Sequence, residues 1–126
     1  MKHYLVIAAA LVALLLSGVG MASAQETRLN IVTTTTQVTD LTNILTQGVG
    51  GIAITGLMGA GVDPHLYQPT ISDITAMNAA DAVFYSGLHL EGKMGEVLDA
   101  LAEQGVVTYA VSDPVKNAGF TFGGFR

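Results

Sequence analysis

The sequence predicts an α/β fold in which helices cover both faces of a parallel sheet. Short β-branched runs recur near residues 29–36, 52–57, 82–86 and 106–111, and stretches with apolar residues three and four apart lie between them. Strands alternating with helices in this order pair in parallel through right-handed crossovers. Two glycine-containing loops, at 56–70 and 87–92, then fall at strand carboxyl ends, where sheets of this class hold ligands.

The chain opens with a segment unlike the rest. Lys2 and His3 give a short positive start, residues 5–16 are apolar, and Ala22-Ser23-Ala24 forms a small-residue cleavage site before Gln25. Residues 1–24 therefore read as a secretory signal peptide. A membrane span is the competing reading, but the apolar run is short for one and ends in Ser17, Gly18 and Gly20. The 126 residues include no cysteine, so the exported chain is expected to lack both disulfides and a lipid-bearing cysteine, with no membrane anchor after signal removal. The periplasm is the expected destination. What remains, roughly a hundred residues, suffices for one modest domain at 25–113, with an irregular tail at 114–126.

Each element has its own signal. Residues 29–36, LNIVTTTT, read as a buried strand with a polar edge, and the four threonines receive no chemical role. Over 37–47 the period changes, placing Val38, Leu41, Ile44 and Leu45 on one helical face, and Gly48 and Gly50 close the helix. Residues 52–57 form the second strand. Thr70, with Asp73 three positions on, marks a capping-box start for a helix carrying Ile71, Ile74 and Met77 inward. Residues 82–86 form the third strand. A helix over 93–103 turns Met94, Val97, Leu98 and Leu101 toward the core, Gly105 stops it, and 106–111 is the fourth strand. Beyond Pro114 no clear period is visible.

The loop GLMGAGVDPHLYQPT at 56–70 has unusual chemistry. Gly56, Gly59 and Gly61 make it costly to order, and a purely connective turn would be shorter, so something is being positioned. Pro64 and Pro69 stiffen the backbone on either side of His65, and Pro64 pushes Asp63 toward extended geometry. An imidazole held in this way loses little further entropy on binding a cation such as zinc or manganese, which makes His65 the candidate metal ligand. The competing reading is an Asp-Pro-His turn whose aspartate accepts a backbone bond and whose histidine is solvated. His89 and Glu91 in the second loop belong to ligand types that the same ion uses, but their spacing from His65 imposes no geometry. A histidine simply hydrogen-bonded to a neighbouring loop is the better reading there.

Other functions find little support. Ten acidic residues against five basic ones, without a basic cluster, argue against nucleic acid as a partner. No cysteine nucleophile, G-x-S-x-G elbow, H-E-x-x-H pair or G-x-x-x-x-G-K loop occurs, so no enzyme is expected. The spacing of Gly56, Gly59 and Gly61 is wrong for a dinucleotide fingerprint.

The strings IVTTTTQVTDL at 31–41, GLMGAGVDPHLYQPT at 56–70, ADAVFYSGLHLEGKMGEVLDAL at 80–101 and VVTYAVSD at 106–113 closely resemble the amino-terminal lobe of the periplasmic zinc and manganese solute-binding proteins of ABC transporters. The resemblance implies one lobe of a two-lobed fold, in which two α/β lobes joined by a long helix enclose one ion. It implies that the histidine of D-P-H, His65 here, is a direct ligand, and that the histidine of G-L-H-L-E, His89 here, is not. It further implies periplasmic capture of zinc or manganese, with an ABC transporter permease as the partner. Position 60 is alanine where a proline is common in that group, and the tail from Pro114 shows no likeness to the group's continuation. Members are more than twice as long and carry a second D-P-H string beyond the point where this chain ends. The alternative function is accordingly a truncated, non-binding remnant with at most a protein-interaction role.

Overall fold

The computed structural model describes residues 29–119, so the expected signal peptide at 1–24 and the phenylalanine-rich end of the chain lie outside the described residues. Four strands, β1 (Leu29–Thr33), β2 (Ile52–Gly56), β3 (Ala82–Tyr85) and β4 (Thr108–Ala110), form one sheet in the order β2-β1-β3-β4. All pairings are parallel, with Val32 opposite Thr55 on one side and Val83 on the other. The helices are α1 (Thr36–Leu45), α2 (Ile71–Asn78), α3 (Gly95–Glu103) and α4 (Asp113–Asn117). The predicted α/β class, parallel sheet and element order are therefore observed.

Right-handed crossovers decide which helix covers which face. The step from β1 to β2 runs opposite to the steps from β2 to β3 and from β3 to β4, so α1 lies on one face and α2 and α3 on the other. Alternation along β1 agrees. The Thr33 hydroxyl meets Thr39 of α1 at 2.8 Å, whereas Val32, on the opposite face, joins a core with Met77 of α2, Val83 of β3, and Leu98 and Leu101 of α3. Met58 and Met94 complete that core from the two loops beside it.

Helix α1 corrects one expectation. Of the predicted stripe only Val38 is buried, while Leu41, Ile44 and Leu45 are 47%, 68% and 73% exposed. The inner face is instead Thr35, Val38, Thr39, Thr42 and Thr46, which also recur at helical spacing. Threonine serves there because its hydroxyl returns to the carbonyl one turn back: Thr39 to Thr35 at 2.9 Å, Thr42 to Val38 at 2.7 Å and Thr46 to Thr42 at 2.8 Å. With the hydroxyl satisfied inside the helix, the methyl group is free to pack. Gly56 lets the helix approach closely, since a Cβ there would come within 2.8 Å of Thr39 Oγ1.

Element ends follow local chemistry. β1 stops at Thr33 rather than 36 because Thr35 turns into the N-cap of α1 and accepts from the Val38 N–H at 3.4 Å. A 3-10 turn at Gly92–Met94 precedes α3, where the sequence pattern predicted a continuous helix from 93. Helix α3 ends in a Schellman motif, with Val106 N–H on Leu101 O, Gly105 N–H on Ala102 O, and Gly105 at φ +88°. The tail expected to be irregular from 114 begins as a helix, because Pro114 falls in the first turn of α4, where its missing N–H breaks no helical bond.

The predicted capping box at α2 is present and does more than start the helix. Asp73 Oδ2 accepts from the Thr70 N–H at 2.7 Å and from the Tyr67 hydroxyl at 2.8 Å, so one carboxylate holds both the helix start and the loop before it. Partial burial opposes ionisation of Asp73, but the bonds from Thr70 and Tyr67 outweigh it and lower its pKa. Burial, then the Asp73 bond and charge, push the Tyr67 hydroxyl up to about 12.

Two tests follow from this packing. Leu101→Ala should lower the unfolding free energy by about 2–5 kcal/mol in urea titrations, since the side chain is fully enclosed between α3 and the sheet. A carboxylate with a lowered pKa in the folded state stabilises above its ordinary value of 3.8, and that stabilisation disappears as pH falls through the folded value. The stability gap between wild type and Asp73→Asn should therefore be wide at pH 7 and narrow toward pH 3. An equal gap at both values would clear Asp73 of the role.

Candidate metal site

The loop after β2 is tied down at both ends. Leu57 N–H bonds Thr33 O at 2.9 Å and Met58 N–H bonds Thr34 O at 3.0 Å, which carries the β1–β2 pairing past the sheet and buries Met58. At the far end Tyr67 and Thr70 are held on Asp73. Between these anchors Gly61 takes φ +80°, a conformation open to glycine, and the chain rises to Asp63-Pro64-His65.

His65 sits on a compact turn. Asp63 Oδ1 accepts from the His65 N–H at 2.9 Å, and Asp63 O accepts from the N–H groups of Leu66 and Tyr67 at 3.2 and 3.1 Å. The same carboxylate oxygen lies 3.4 Å from His65 Nδ1, and the histidine side chain is 63% exposed. Nδ1 is therefore the ring nitrogen that lies beside the carboxylate, and most of the side chain is open to solvent. A carboxylate beside one ring nitrogen is a common companion of metal-binding histidines. The turn reading of D-P-H, with its aspartate accepting a backbone bond and its histidine largely solvated, is the geometry observed.

The turn borders an open depression of about 430 Å³ at the carboxyl ends of β1, β2 and β3. Thr35, Gln37, Met58, Asp63, Pro64 and Ser86 are among its lining residues. This is the point at which the strand order reverses, the position at which open α/β sheets form their crevice.

The second loop does not bring its candidate residues to His65. His89 lines a separate opening of about 420 Å³, with Tyr85, Asp99, Asp113 and Lys116. Glu91 is 2% exposed and turned into the protein, where its carboxylate accepts from the Thr34 hydroxyl at 2.7 Å, the Gly87 N–H at 3.1 Å and the Ser86 N–H. Its oxygens are engaged in holding the loop, not in facing an ion beside His65. Among the described residues no three histidine, aspartate or glutamate side chains converge closely enough to hold an ion together. The threonines 33–35, which received no chemical role from the sequence, are buried and link β1 to Leu57 and Met58 of one loop and to Ser86 and Glu91 of the other. The run TTTT was their one local signal.

Comparison with known proteins bears on this arrangement. The family described as zinc-uptake complex component A, periplasmic, matches residues 31–122, so the likeness continues past Pro114 into the stretch expected to lack it. The chain is 44% identical over 94 residues to the manganese-binding lipoprotein MntA of Bacillus subtilis, covering 71% of this chain and 29% of that protein. It is also 44% identical over 85 residues to the zinc-binding protein TroA of Treponema pallidum, covering 68% of this chain and 27% of TroA. The solved structure of the periplasmic zinc-binding protein TroA superimposes with a TM-score of 0.62 at 42% identity, over 68% of this chain and 30% of that one. The chain thus spans under a third of the length of these relatives, and its fold matches part of a two-lobed metal-binding protein. With most of the described residues matched, the chain belongs to the zinc-uptake complex component A family of periplasmic proteins.

Proposed function

We propose that this chain is the amino-terminal lobe of a solute-binding protein that captures zinc or manganese in the periplasm for delivery to an ABC transporter permease, with His65 as a direct ligand. The observation that supports the reading is the His65 side chain, 63% exposed on the turn that borders the strand-end depression, with Nδ1 3.4 Å from Asp63 Oδ1. The names of the relatives supply the ion classes, since MntA is called manganese-binding and TroA zinc-binding. Zinc takes three or four protein ligands, so the lobe contributes one donor to a cage that needs others. Its part in the mechanism is positional: the lobe holds an imidazole in place and releases the ion when the remaining donors withdraw. Nothing in this role calls for bond making in a substrate, and the protein is not an enzyme in this reading.

A second reading, a remnant that folds but does not bind, draws on the absence of a converging ligand set among the described residues. Calorimetric titration of zinc and of manganese into the chain from Gln25 onward separates the two. The transport reading expects weak, saturable binding that falls at least tenfold, about 1.4 kcal/mol, in His65→Ala. Heat that never saturates, or that ignores the substitution, favours the remnant.

A further inference from the structure

The loop after β3 is strained in a way that its connective task does not require. Gly87, Leu88 and His89 follow one another in the left-handed region at φ +84°, +52° and +63°, and only the first is glycine. Side chains rarely adopt that conformation unless the surroundings enforce it, and such strain clusters at functional sites. The enforcing group is the Glu91 carboxylate. It is buried, and it gathers the Ser86 and Gly87 N–H groups and the Thr34 hydroxyl onto its two oxygens. Backbone bonds from Leu90 to Gly87, Gly92 to His89 and Met94 to Glu91 close the remaining turns.

The strained loop delivers Gly92, at φ +43°, against the backbone of His65. A Cβ at position 92 would overlap the His65 carbonyl oxygen and lie 3.0 Å from its carbonyl carbon and 3.1 Å from its Cα. A side chain of any size would push the Asp63–Tyr67 turn off its seat. We propose that Glu91 and Gly92 are positioning residues for His65: the carboxylate locks the second loop to the end of β1, and the bare glycine then serves as the stop on which the histidine backbone rests. This rests on the reading of His65 as a metal ligand, and it gives the G-L-H-L-E-G segment a task in which neither His89 nor Glu91 touches the ion.

The test uses the whole chain from Gln25, labelled with nitrogen-15, in wild type, Gly92→Ala and Glu91→Gln. Leu101→Ala serves as a control that destabilises the shared core without altering the Glu91 bonds or the Gly92 contact with His65. Metal-free spectra should show the amides of residues 63 and 65–67 displaced in both loop variants, with those of Val32 and Val83 in place. Zinc is then added and followed at the His65 imidazole, where the loop variants should bind at least tenfold more weakly than wild type while Leu101→Ala keeps the wild-type response. If Gly92→Ala does not fold, Glu91→Gln, which preserves side-chain volume, decides by the same readout. Unmoved amides at 63 and 65–67 together with wild-type zinc affinity in a folded loop variant would overturn the proposal, as would an equal loss of affinity in Leu101→Ala. A wild-type imidazole silent to zinc would instead overturn the metal reading, and the metal-free amides would still support or overturn the positioning.

Discussion

The structure depends on one buried residue at the point where its strand order reverses. Thr34 lies just beyond β1, between strands that leave it on opposite sides, and each of its polar groups holds a different segment. Its N–H donates to Phe84 O at 3.1 Å, its carbonyl accepts from Met58 N–H at 3.0 Å, and its hydroxyl donates to Glu91 at 2.7 Å. Adjacent loops in an open parallel sheet diverge at such a point, which is why a crevice forms there. Here the two walls of the crevice share one reference, so the loop bearing His65 and the loop bearing Glu91 keep a fixed relation. A buried hydroxyl is costly unless it is bonded, and this one donates to a buried carboxylate.

The fold was legible wherever hydrophobic period and turn chemistry agreed. The runs at 52–57 and 82–86 and the capping pair Thr70 and Asp73 needed only local information, and they appear close to where they were expected. Helix α1 shows where that information misleads. Hydropathy assigns Leu41, Ile44 and Leu45 to the core, but the helix turns threonines inward because each can bond its own backbone and offer a methyl group to the sheet. The period was present, displaced around the helix from the apolar stripe, and the pairing of Thr33 with Thr39 selected between the two faces.

The candidate site divides in the same way. The turn at Asp63 to Tyr67 is encoded within a few residues, so its composition alone pointed to a positioned histidine. The seat beneath it was not legible, because Thr34 and Glu91 are 57 positions apart and Gly92 meets His65 only once both loops are in place. The sequence offers Glu91 as a residue type that an ion uses but fixes no geometry for it. Burial decides against that use, since oxygens facing three internal donors cannot also face the crevice.

A lobe that contributes one imidazole to an ion, the role proposed for this chain, has a stricter positional problem than a complete cage. Where several donors share one loop, the ion itself draws them into register, whereas a lone donor must arrive correctly placed by its own scaffold. Every restraint on His65 here belongs to the protein: the Asp63 turn beneath its amide, the carboxylate at Nδ1, the Asp73 clamp on Tyr67, and the contact with Gly92. For the proposed ligand role, restraints of this kind would meet the ordering entropy of the loop during folding, so that it is not charged against binding. The glycines and prolines that make the loop expensive to order are therefore consistent with its task, because they allow a tight rise to His65 that the Thr34 and Asp73 anchors then make rigid.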